Sequence, residues 1–257
     1  MSGPRRRRGR HVVLAAAALV AVVVTLGLPP IHQDPRYHRF ADQRSLLGVP
    51  NAGDVLSNVG FLVVGAAGLA RVRQPRANGI GGPHEAVAFA VLFGSVALTG
   101  VGSAWYHLAP SDARLVWDRL PITAAIAATV TVVAADRLGP RLARGLLPAL
   151  LVLGVASVAW WRATSDLRPY VLVQAVPLLG VPLMLALYPG GRPGSGWLVA
   201  ALGCAVASRA CELLDAPIFV LTGAASGHTL KHLAAAAGTA AILRWMAPRR
   251  PVLSFPP

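Results

Sequence analysis

The chain has 257 residues, of which 55% are hydrophobic and 13% charged, and 24 basic against 10 acidic residues give a net charge of +14. A soluble globular domain carries about 25% charged residues, so this composition cannot cover a surface in water. With a mean hydropathy of +0.58 it predicts an all-α polytopic membrane protein and excludes a secreted disulfide scaffold, a disordered protein and a coiled coil.

Residues 1–11 form a basic segment, with Arg5 to Arg8 and Arg10 ahead of the first apolar run, 12–28. That run is 17 residues long with no A-x-A site before Pro29, so it is read as an uncleaved signal anchor rather than a signal peptide. Residues 29–53 follow as an external loop. Seven further apolar runs lie at 54–70, 86–107, 115–135, 145–161, 169–188, 196–214 and 227–246, and a tail occupies 247–257. The breakers between them are Gly79 to Pro83, Pro110, Gly139-Pro140, Pro189 to Gly191 and Ala216-Pro217. Pro177, Pro182, Gly154 and Gly180 fall inside runs, where membrane helices tolerate them. The expected fold is a seven-helix core over 54–246 plus one additional N-terminal transmembrane helix.

The basic residues do not point to nucleic acid, because they are dispersed between apolar runs as the positive-inside rule disperses them. With both termini cytoplasmic, 15 of the 24 fall on the cytoplasmic side: Arg5, Arg6, Arg7, Arg8, Arg10, Arg71, Arg73, Arg76, Arg137, Arg141, Arg144, Arg192, Arg244, Arg249 and Arg250. Lys231 is the only lysine and alanine is abundant, a bias of GC-rich bacterial genomes that places the chain in a bacterial inner membrane. Cys204 and Cys211 share one apolar run. Seven helical residues rise about 10.5 Å, too far for a disulfide, so both are read as packing residues.

Ionisable residues inside membrane helices are costly and functional by default. Here they gather at one level, toward the extracytoplasmic side: Asp54 and Asn58, Ser103 and His107, Asp118, Glu212 and Asp215, and His228 and His232. Ser103/His107 and His228/His232 are i,i+4 pairs, each on one helix face. Two imidazoles one turn apart can grip a metal ion, and His107 supplies a third. Three histidines with a position left for water is the open arrangement of catalytic zinc. Taken singly, each feature has a plainer reading. The histidine pair could be packed or interfacial, Ser103 a helix–helix hydrogen-bond donor, and Asp118 an ion-pair partner of Arg119. Trp105, Tyr106 and Trp117 are read as an aromatic belt. His11, His32, His38 and His84 are given no role. H-E-x-x-H is absent, which disfavours a zincin-type protease, and i,i+4 histidines cannot ligate opposite faces of a haem iron.

At these positions the sequence resembles the alkaline ceramidase family, within the CREST superfamily of membrane hydrolases. The matching pieces are Ser57-Asn58 in Asp54-Val-Leu-Ser-Asn-Val-Gly-Phe, Ser103-x3-His107, Asp118 in Trp-Asp-Arg-Leu-Pro, and His228-x3-His232. The resemblance covers residues 50 to 246 and implies zinc held by His107, His228 and His232. It also implies hydrolysis of a lipid N-acyl amide, ceramide-like, by zinc-activated water. Ser103 would stabilise the oxyanion, and Asp118 would take the water's proton and pass it to the leaving amine. Glu212, Asp215 and Asn58 are expected to act behind the ligands, the two acids orienting a histidine N–H, with Asp215 equally readable as an interfacial acid. Where the ceramidases carry an acidic calcium-binding stretch, residues 30–53 offer only Asp34 and Asp42, which speaks against calcium. Asp54 stands where they carry asparagine, so bacterial lipid amides other than ceramide are equally open as substrates. The alternative is a non-enzymatic seven-span receptor or sensor with a structural zinc site. A proton or metal transporter fits less well, because the polar groups form no relay through the bilayer.

Overall fold

A helix satisfies its own backbone groups, as a hydrocarbon environment demands, and the chain follows that rule throughout. The computed structural model describes residues 4–74 and 78–246, with side chains from residue 8 onward. Arg76, Arg249, Arg250 and the expected tail 247–257 lie outside the described residues, as do the side chains of Arg5, Arg6 and Arg7. The helices are α1 (Pro4–Gly27), α2 (Ala52–Ser57), α3 (Val59–Val72), α4 (Pro83–Leu108), α5 (Asp112–Leu138), α6 (Ala143–Thr164), α7 (Arg168–Leu187), α8 (Gly196–Leu213), α9 (Asp215–Thr222) and α10 (Gly227–Met246). No strand forms among the described residues, where pairing amounts to isolated bridges.

Seven of the eight expected spans form helices long and apolar enough to cross a membrane, with α2 and α3 running on as one span, Ala52–Val72. The eighth, α10, has the length at 20 residues, but His228, Lys231, His232 and Arg244 lower its hydropathy. Most helices outrun their apolar stretches by about a turn, because polar residues such as Asp112 and Arg137 continue the helix toward the headgroups. α8 ends at Leu213, just ahead of the expected Ala216-Pro217 breaker, and Pro217 itself lies in the first turn of the short helix α9, where its missing N–H is harmless.

In the bundle α3 packs on α4, α4 on α5, α5 on α6 and α7, and α10 on α8 and α3. The outward faces carry exposed aliphatic side chains such as Val63, Leu98, Val152 and Val199, as lipid contact requires. Phe89, Leu92, Phe93, Val132, Val133 and Trp245 fill the interior. Buried hydroxyls return to their own helix: Thr99 donates to the Ser95 carbonyl at 2.9 Å and Thr131 to that of Ala127 at 2.8 Å. The additional helix α1 lies outside the core against α7. There Arg168 donates to the carbonyls of Leu26 and Leu28 just beyond its last turn.

Two glycines set the helix ends that matter for the polar level. A Cβ on Gly102 would sit 2.1 Å from the Trp117 carbonyl oxygen, so α4 and α5 touch backbone to backbone one residue from Ser103 and Asp118. A Cβ on Gly227 would lie 2.2 Å from the Cys211 carbonyl oxygen and 2.7 Å from Asp215 Cα. Small residues therefore let the start of α10 dock against the α8–α9 corner.

Candidate metal centre

The end of α4 and the start of α10 bring three imidazoles together. His107, His228 and His232 are all buried, and one ligand atom from each lies within 4.8 Å of the others. Their ring centroids are 4.8, 5.0 and 4.9 Å apart. One helical turn separates His228 from His232, and the long buried helix α4 carries His107 to the same depth. The trio could therefore hold a metal ion.

Hydrogen bonding around the rings fits that use. Ser57 donates its one hydroxyl hydrogen to the Asp54 carbonyl at 3.0 Å, and its Oγ lies 2.8 Å from His232 Nδ1. The ring nitrogen must then be the donor of that second bond, so the proton sits on Nδ1 and Nε2 is left with its lone pair. His107 Nδ1 is buried with no hydrogen-bond partner. No partner reaches it among the described residues, an orphaned buried nitrogen is costly unless something fills the gap, and a cation held by the trio would do so. The His107 carbonyl accepts from Asn51 Nδ2 at 2.8 Å, which pins the end of α4.

Ser103 and Asp118 come close across the Gly102 contact, each one residue from the point where α4 and α5 touch. Asp118 does not form an ion pair with its neighbour. The Arg119 guanidinium packs over Trp161 and Tyr170 at 4.0 and 4.6 Å and donates to Gln33 at 2.6 Å.

The acids expected to orient histidine rings bond elsewhere. Asp215 accepts the backbone N–H of His228 at 2.7 Å and that of Ala41 at 2.9 Å, so it caps α10 and anchors the preceding segment. Glu212 accepts from Lys231 at 2.8 Å, from the Tyr37 hydroxyl at 3.3 Å and from Arg209. Asn58 donates to the Asp54 carbonyl at 2.7 Å. The residue that does reach a ring nitrogen is Ser57. Lys231 also enters the centre, with Nζ 3.4 Å from His228 Nε2.

Residues 29–53, expected as an external loop, fold down onto the centre. The Phe40 ring, 5% exposed, lies 4.6 Å from the rings of both His107 and His228. His38, expected to have no role, pairs with the Tyr106 hydroxyl at 2.9 Å and Asp112 at 3.1 Å. That contact buries Tyr106, which therefore leaves the aromatic belt, while Trp105 and Trp117 remain exposed. At the far end the Ile31 N–H donates to Asp166 at 3.3 Å, and the Leu167 N–H donates to the Ile31 carbonyl at 2.8 Å. Arginines hold two carboxyls of this region below the ordinary carboxylate range, Arg44 acting on Asp42 and Arg168 on Asp166. Burial pushes the Tyr37 phenol up. The sequence signal for this cover was Phe40 with Tyr37 and His38 in an otherwise polar stretch. Cys204 and Cys211 are both free thiols.

Compared with known protein families and with curated proteins, the chain matches none at a significant level.

Proposed function

We propose that this protein is a zinc-dependent membrane hydrolase that cleaves the amide bond of a lipid N-acyl amide. The observation that carries the reading is the convergence of three buried imidazoles, one with an unpartnered nitrogen and one with its tautomer fixed by Ser57. His107, His228 and His232 would hold the ion, and three neutral nitrogen donors suit zinc while leaving a position open. The ion's contribution would be an activated water with a pKa lowered toward about 7 and a Lewis acid for the carbonyl.

The chain supplies the rest. Asp118, paired with Ser103, takes the proton of the attacking water and delivers it to the departing amine nitrogen. The Ser103 hydroxyl turns from the carboxylate to the developing oxyanion. Phe40 and the segment around it keep bulk water out, so these charges act in a low-dielectric space. The arginine distribution supports a centre toward the extracytoplasmic side, and the single lysine with abundant alanine supports a bacterial cell membrane.

Purified protein incubated with fluorescent N-acyl amides should release fatty acid, and only when zinc is present. Asp118→Asn should keep one zinc per chain while its rate falls by about 10²–10⁴-fold. Undiminished hydrolysis in that variant would require another base. Stoichiometric zinc with no hydrolysis of any amide would favour the structural-zinc receptor instead.

A further inference from the structure

Lys231 is the only lysine of the chain, and it stands in the first turn of α10 between the two histidines. Its ammonium contacts Glu212 at 2.8 Å and lies 3.4 Å from His228 Nε2, with 21% of the side chain exposed. Glu212 is shared, since Arg209 pairs with its other oxygen. Two cations thus divide the Glu212 carboxylate, and Asp118 is the other acid whose charge acts on the ammonium. A divalent ion bound by the trio would tip this set of two cations and two carboxylates to a net positive charge. An ion held by the trio and the Lys231 ammonium would repel one another across a low-dielectric gap, and an anion placed between them would relieve the repulsion.

An ammonium has three N–H donors. Glu212 engages one of them, and His228 Nε2 is a long contact that metal ligation through that atom would abolish. The geometry points to Lys231 as a specificity residue that receives a carboxylate on the amine half of the substrate, so that the preferred class is the N-acyl amino acid. This inference rests on the hydrolase reading. The acyl chain belongs in hydrocarbon and the amine half at the helix ends, which is where Lys231 sits. A neutral amine half would offer no anion to set against the positive charge of a loaded centre.

The test compares N-oleoylglycine with N-oleoylethanolamine, which matches it in length and lacks the charge. Both binding to zinc-loaded protein, by calorimetry, and hydrolysis are measured. Wild type should bind the glycine conjugate about tenfold more tightly, the worth of one charge-assisted hydrogen bond. Lys231→Met should bring the ratio to about one, and Lys231→Arg should keep most of it. Glu212→Gln should raise the ratio, because it frees the ammonium. If Lys231 merely holds α8 to α10, Lys231→Met and Glu212→Gln will both lower the melting temperature and leave the ratio unchanged, which overturns the inference. A wild-type ratio of one overturns it as well. Preferential binding without hydrolysis of either amide would uphold the anion site and sink the hydrolase reading. Equal hydrolysis with equal binding would do the reverse.

Discussion

The bundle buries polar groups at both ends of the same helices, and the two ends differ in kind. At the start of α4 and the ends of α5 and α10, the buried carboxylates each meet an arginine. Glu85 pairs with Arg192, whose guanidinium packs over Phe89 and Trp245. Asp136 faces Arg137 at 3.0 Å, and the remaining donors of Arg137 and Arg192 go to carbonyls such as those of Tyr188, Asn78 and Met246. That end is a clamp joining the α7–α8 connection to the bundle. The opposite end gathers three imidazoles around a common point, and among the described residues His107 Nδ1 there has no hydrogen-bond partner. Buried polarity alone therefore does not mark a site. Convergence of ligand atoms on a common point does.

Substitutions at the two ends should separate these roles. His107→Ala, His228→Ala and His232→Ala should each abolish stoichiometric zinc, read by elemental analysis of purified protein; full retention in all three would discard the ligand assignment. Arg192→Met should instead cost about 3–5 kcal/mol of stability by leaving Glu85 buried and unpaired, with metal content unchanged. Loss of zinc in that variant would mean the ends are coupled. Ser57→Ala should weaken zinc affinity about 10–100-fold, as removal of a group orienting a ligand does, and competition with a metal-binding dye would read it.

The smallest effect concerns pH. Asp42 and Asp166 are held below their ordinary values by Arg44 and Arg168. The stabilisation they give is therefore complete above the unfolded carboxyl value of about 3.9 and is lost as pH falls through the lowered values. Amide exchange in residues 31–42, corrected for intrinsic rates, should be flat from pH 7 to 5 and quicken only in stronger acid. Quickening within that range would mean that the two arginine–carboxylate pairs do not hold this segment.

Much of this was legible in the sequence, for reasons visible in particular residues. Apolar runs of bilayer length give the spans directly, and the i,i+4 spacing of His228 and His232 survives folding because a helix preserves it. His107 follows from equal depth on an antiparallel neighbour. What stayed hidden depends on contacts between distant segments. Glu212 and Asp215 stand at histidine depth, yet depth does not say whether a carboxylate meets a ring, a backbone N–H or an ammonium. Ser57 belonged to a recognisable motif, but its contact with His232 spans 175 positions. Residues 29–53 have neither the period nor the hydropathy of an element, and their fit over the helix ends rests on the buried Phe40 ring and on hydrogen bonds of Gln33, Tyr37, His38, Asn51 and the backbone to distant helices.

The wedge of Phe40 against His107 and His228 has a kinetic consequence. With an aromatic face 4.6 Å from both rings, an ion cannot pass that way while the strap is down. Loading and stripping would then run at the rate at which the strap lifts, whatever the affinity beneath it. A chelator would remove the ion slowly and at a rate independent of its own concentration. Trimming the ring to alanine would hasten exchange far more than it would weaken the hold.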